Sequence, residues 1–156
     1  MLNDYPPGSR WPYMWKVAKR FNSYFNSMID GTDKSNIYEF DIIHAFFVFC
    51  YHLKDWIIRD FPSSKEQVEN YINGSVLRHC ADFCNEIKHL NRRKPRTGHA
   101  PDIPYIDIGE NGRPIFMIET DEGDQDACEL AGKCIDAWYE YIRVNIDPNI
   151  NKDFEF

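Results

Sequence analysis

Apolar residues recur through the first ninety positions at three- and four-residue steps, the spacing that lays one face of an α-helix on a core. Trp15, Ala18, Phe21, Phe25 and Met28 form one such stripe. They predict a first helix over about 12–29, stopped by Asp30-Gly31-Thr32-Asp33. A second stripe, Ile37, Phe40, Ile43, Phe47 and Tyr51, is widened by Ile42, Ala45, Val48 and Phe49 until the segment is apolar almost all round. A helix of that kind, over about 35–59, is packed on several sides. Phe61-Pro62-Ser63-Ser64 ends it, and Ser63 or Ser64 followed by Glu66 or Gln67 has the capping-box pattern for a third helix. That helix is predicted to run to about Leu90, with Val68, Tyr71, Ile72, Ser75, Cys80, Phe83, Cys84 and Ile87 inward. Asn73-Gly74 is its weak spot, the place for a kink or break.

Beyond Asn91 the texture changes. Residues 91–104 mix Pro and Gly with basic residues and read as a basic loop. Tyr105-Ile106-Asp107-Ile108 and Ile115-Phe116-Met117-Ile118 flank an Asn111-Gly112 pair, the strongest short-range signal for a β-hairpin, here over 105–118. A last helix over about 123–145 carries Ala127, Leu130, Ala131, Cys134, Ile135, Trp138, Tyr141 and Ile142 on one face. Asp147-Pro148 closes it and 148–156 is expected to be a frayed tail, as 1–10 is expected to be an irregular arm. The fold class expected is therefore mainly α, a four-helix bundle with a β-hairpin inserted between the third and fourth helices, in a single domain over 1–156.

Composition excludes several classes. With 156 residues, 43% of them hydrophobic and 15% aromatic, the chain is neither disordered nor in need of a metal or disulfide to fold. The longest apolar run, Ala45 to Tyr51, is far short of the roughly 20 residues of a membrane span, so no membrane association is expected. The first residues lack the basic and apolar regions of a signal peptide. Five cysteines, none in Cys-x-x-Cys, suit a reduced, cytoplasmic protein. A net charge of −7 argues against general duplex-DNA binding, which needs a cationic footprint.

The distribution of charge says more than its sum. Lys88, Arg92, Arg93, Lys94 and Arg96 lie together with no acid from 88 to 96, a local patch able to meet one anionic partner. Glu119, Asp121, Glu122, Asp124, Asp126 and Glu129 form an acidic stretch, most simply read as the first turn of the last helix complementing its dipole.

If the second and third helices are antiparallel about a turn near residue 62, His44 falls beside residues 80–84 and Asp55 near residue 70. His44, Asp82, Cys80, Cys84, Asn85 and His89 then share one end of the bundle. A thiolate–imidazole metal site from Cys80, Cys84 and His44 is one reading, though closely spaced Cys pairs at loop knuckles are missing and buried Cys is common in its own right. A cysteine nucleophile paired with His44 or His89 is another, though no cysteine is marked by a turn or helix N-terminus. Neither a metal nor a cofactor is expected. In His52-Leu53-Lys54-Asp55-Trp56 the simpler reading is structural, with Trp56 packed and Lys54 and Asp55 exposed or locally paired.

The third reading rests on Cys84-Asn85-Glu86-Ile87-Lys88-His89, where a helix ending in a polar residue, three further residues and His runs into a basic loop. This arrangement resembles the HEPN (higher eukaryotes and prokaryotes nucleotide-binding) superfamily, across about 35–95 and the last helix. The resemblance implies contact with RNA or a nucleotide, a homodimer with facing sites, and metal-independent ribonuclease activity in many members. Asn85 and His89 match the family's polar residue and His, while its Arg position falls on Cys84, a departure. Arg92 and Arg93 also precede His99 at the family's spacing, but Pro95 and Gly98 break any helix there. In a cleaving protein His89 would be the general acid or base, Asn85 its orienting partner, and Arg92 or Arg93 the charge-stabilising group. Lys88, Lys94 and Arg96 would hold the phosphates, with His44 and Asp82 behind them. The competing reading is a non-catalytic interaction protein, a homodimer or a subunit of a larger complex, using Trp11, Tyr13 and Trp15 or the acidic stretch.

Overall fold

The computed structural model describes residues 7–29, 39–88, 105–108 and 114–153. It is mainly helical with a small antiparallel sheet. The elements are α1 (Trp11–Ile29), α2 (Glu39–Asp60), a single 3-10 turn (Pro62–Ser64), α3 (Lys65–Gly74), α4 (Leu77–Lys88), β1 (Tyr105–Ile108), β2 (Pro114–Thr120), β3 (Gly123–Asp126) and α5 (Ala127–Asn145).

The α1 stripe behaves as its spacing requires: Trp15, Ala18 and Phe25 are buried and Phe21 is packed against them. The start of α1 is held from outside. Asp60, the last residue of α2, accepts hydrogen bonds from the backbone amides of Arg10 (2.8 Å) and Trp11 (3.1 Å). Two otherwise orphaned N-terminal amides of α1 are thereby satisfied. Helix α2 is central, burying Ile43, Phe46, Phe47, Leu53 and Ile57 completely. Phe46 meets Phe25 of α1 and its own neighbour Phe47 edge to face, with ring centroids 5.6 and 5.1 Å apart.

The third expected helix is two. Asn73 and Gly74 are poor helix formers, and the chain leaves α3 there through an extended Ser75 (φ −124°, ψ 178°). Ser75 then restarts the helix, its hydroxyl accepting from the amide of Leu77 at 3.3 Å. The capping box expected at Ser63 or Ser64 does not form. Pro62–Ser64 is taken up in the 3-10 turn, and the Ser64 hydroxyl donates instead to the Phe61 carbonyl at 2.7 Å.

The hairpin forms with Tyr105 opposite Met117 and Ile108 opposite Pro114, and β2 turns Phe116 and Ile118 into the core. It gains a third strand that the sequence reading assigned to the last helix. Residues 123–126 pair with β2, Thr120 opposite Gly123 and Met117 opposite Asp126, in the order β1-β2-β3. Gly123 supplies φ 97°, which a side-chain-bearing residue rarely adopts. Thr120 Oγ1 closes the turn by donating to the Gly123 carbonyl at 2.8 Å. Helix α5 therefore begins at Ala127, capped by Asp126, whose carboxylate accepts from the amides of Cys128 (2.7 Å) and Glu129 (3.2 Å). All eight residues of the expected α5 stripe are buried.

The tail, expected to fray, is fastened as far as residue 153. Lys19, only 8% exposed, donates to the carbonyls of Asn151 (3.0 Å) and Asp153 (2.7 Å). Trp15 Nε1 reaches the same Asn151 oxygen at 3.2 Å, and Ile150 packs on the core.

Candidate functional site

Helices α2 and α4 bring the candidate chemistry together. Phe83 of α4 stacks on His44 with ring centroids 5.6 Å apart and meets Phe47 at 4.9 Å. The expected neighbourhood of His44 is thus correct, but its chemical partners are not those the antiparallel count gives. That count assumes one straight third helix, and the break at Ser75 re-aims α4. The thiol of Cys84 faces His52, with 3.8 Å between Sγ and Nε2. His52 Nδ1 is held by the Asp55 carboxylate at 2.6 Å, within one turn of α2. His44 is instead a packed ring, and burial draws its pKa below the ordinary imidazole value against the opposing charge of Asp41.

The chain Cys84–His52–Asp55 has the order of a nucleophile, a base and an orienting acid. Its thiol, however, is only 2% exposed and belongs to the core cluster, whereas His52 and Asp55 are 34% and 51% exposed. The pair therefore reaches solvent at the surface of α2 and braces α4 from behind. The structural reading of the neighbouring residues holds: Lys54 pairs with Glu69 at 2.8 Å, and Trp56 is half-buried under the Arg59 guanidinium. Asn85, the residue after Cys84, is half-buried on α4, and Asp82, one turn earlier than Glu86, is buried at 3% exposure. Lys88 ends α4; of the other sequence-derived site residues, His89, Arg92, Arg93, Lys94 and Arg96 lie outside the described residues.

The cysteine–imidazole metal set weighed as one reading of Cys80, Cys84 and His44 does not assemble. Cys84 is occupied with His52, and Cys80 Sγ points into the core, donating to the Phe47 carbonyl at 3.3 Å. Cys80 joins Cys50 of α2 and Cys134 of α5 instead, the three sulfurs lying within 4.8 Å of one another.

The acidic stretch is redistributed in the same way. Glu119 and Asp124 sit on strands, and Asp121 and Glu122 form the β2–β3 turn. Only Asp126 and Glu129 serve the α5 N-terminus. The turn clasps α4: His79, 3% exposed, has Nδ1 at 3.5 Å from Asp121 and Nε2 at 3.3 Å from Glu122, which also pairs with Arg78. Of the aromatic residues that the competing reading uses to anchor a partner, Trp11 and Trp15 are buried at 0% and 1% exposure, which leaves Tyr13 at 62%. A polar cleft of about 370 Å³ between α1, α5 and the tail has both its lysines engaged, Lys19 with the tail carbonyls and Lys152 with Asp136 at 2.6 Å.

Sequence reasoning singled out the His52 to Trp56 segment but missed the approach of His52 to Cys84 and the convergence of Cys50 and Cys134 on Cys80. The His52/Asp55 spacing of one helical turn was a usable signal. The thiol convergence is tertiary and has no local trace.

These features define a mainly helical protein with a three-stranded antiparallel sheet laid beside its last helix. No helix among the described residues is long and apolar enough to cross a membrane. No protein-family model, curated protein or solved structure matches the chain.

Proposed function

We propose that the protein contacts RNA or a nucleotide at the C-terminal end of α4, as a HEPN-like helical bundle working as a homodimer in the reduced cytoplasm. The observation that carries the reading is local. Asn85 stands directly after the Cys84 thiol that His52 and Asp55 brace, and α4 then leads through Lys88 into the acid-free run 88–96. A cationic patch beside a helix end suits a single anionic partner on an otherwise acidic chain.

In this reading His89 takes the proton of a ribose 2′-hydroxyl, whose oxygen attacks the adjacent phosphorus. The bond from phosphorus to the 5′-oxygen breaks, and that oxygen leaves with the proton that the His89 imidazolium hands on. Arg92 or Arg93 stabilises the charge that develops on the phosphoryl oxygens, and Asn85 orients the imidazole or the phosphate. Lys88, Lys94 and Arg96 hold the strand. His52 and Asp55 are positioning residues that fix the end of α4, and His44 and Asp82 lie behind it.

An RNA cleavage assay in EDTA tests this. Wild type is expected to leave 2′,3′-cyclic phosphate ends, His89→Ala and the Arg92→Ala/Arg93→Ala pair to be inactive, and His52→Ala to retain reduced activity. Cleavage unchanged in His89→Ala removes the mechanism. A folded wild type that neither cleaves RNA nor binds it removes the reading altogether.

A further inference from the structure

Five cysteines are spread through the chain, and three of them meet. Cys50 comes from the middle of α2, Cys80 from the first turn of α4 and Cys134 from α5. Each is 0% exposed, and the sulfurs lie within 4.8 Å of one another. Three thiolates around one metal at a bond length of about 2.3 Å stand about 4 Å apart, so the cluster is already near the size of a trigonal site. Its helices are braced around that point. Trp138 Nε1, one turn beyond Cys134, donates to the Cys50 carbonyl at 2.8 Å, and the Cys80 sulfur sits 3.3 Å from the Phe47 carbonyl.

We infer that Cys50, Cys80 and Cys134 form a three-sulfur site for a soft monovalent cation of the Cu(I) class. Thiolate ligands select soft ions. Structural zinc takes four protein ligands, and among the described residues no fourth His, Cys or carboxylate lies within the same 4.8 Å of this group. Exclusion from water favours an ion that three sulfurs alone can satisfy. The inference is independent of the RNA reading, whose residues lie at other positions of α2 and α4 and beyond α4.

Because the site is enclosed, loading is coupled to folding or to local opening of the helices. The reduced full-length chain is therefore refolded anaerobically with Cu(I) held by bicinchoninate. The expected result is one Cu(I) withdrawn per chain, with three sulfur neighbours at about 2.3 Å by X-ray absorption. Cys134→Ser and Cys80→Ser are expected to weaken retention at least about 100-fold, since even an outer partner of a metal ligand is worth 10–100-fold. Cys84→Ser and Cys128→Ser are expected to retain the ion. No withdrawal from bicinchoninate, or retention unaffected by Cys134→Ser, overturns the assignment. So does a preference for Zn(II) with four ligands. If the core variants fail to fold, the wild-type spectrum decides alone: a sulfur count other than three refutes the site.

Discussion

Lys19 offers a quantitative test of how the tail is held. Its ammonium is 8% exposed and donates to two tail carbonyls, at 3.0 Å to Asn151 and 2.7 Å to Asp153, while lying 5.3 Å from the Trp15 ring centre. Hydrogen bonds from a charged donor contribute about 1.5–3 kcal/mol each. Both acceptor residues are exposed, so water replaces part of the loss and the lower end applies. Lys19→Met should therefore cost about 3 kcal/mol, or roughly 6–12 °C in melting temperature for a chain of this size. Deleting residues 149–156 removes the same two bonds together with the Trp15 bond and the Ile150 packing, but lets the ammonium return to water; its cost should also be about 3 kcal/mol. The two perturbations share both Lys19–tail hydrogen bonds, so the double variant should lose about 4 kcal/mol rather than about 6. Urea unfolding of the four proteins, with a common slope, measures the cycle. Additivity within about 0.5 kcal/mol would show that Lys19 and the tail act independently, and the reasoning would fail.

Two further predictions concern α5. Asp126→Ala removes the acceptor of two helix N-terminal amides and should destabilise the protein by about 1 kcal/mol in urea unfolding, whereas Asp126→Asn keeps an acceptor and should lose little. Equal losses in the two variants would sink the capping argument. Tyr141 has its phenol pushed up to about 12 by burial, with Tyr71 beside it adding to the effect. The unfolded chain releases that proton near its ordinary value of about 10, so the contribution is complete below pH 10 and is lost as pH rises towards 12. Absorbance of tyrosinate should show Tyr141 ionising last, together with unfolding; replacement by Phe should remove that late step.

How much was legible follows from where the information resides. Helix α5 could be read residue by residue, because a helix buried along one face writes that face into its own spacing. The breadth of the α2 stripe likewise foretold a helix with neighbours on several sides, and Asn73-Gly74 marked the break between α3 and α4. Strand β3 was invisible because Gly123-Asp124-Gln125-Asp126 has no apolar alternation; it is a polar edge strand recruited by β2, and its acids imitate a helix start. Trp11 and Trp15, offered as surface anchors only in the competing reading, are core residues, and composition does not tell which side of a short apolar segment faces inward. At the candidate site, Asn85 and the basic run are local signals, but the meeting of His52 with Cys84, 32 residues apart, depends on how α4 is aimed after its break.

The Asp60 carboxylate has a practical consequence for engineering. By catching the amides of Arg10 and Trp11, it aligns α1 with α2 at the end opposite to their connection. Replacing Asp60 by Asn then gives a graded handle on how α1 seats on α2, because the exchange keeps an accepting oxygen and removes its charge.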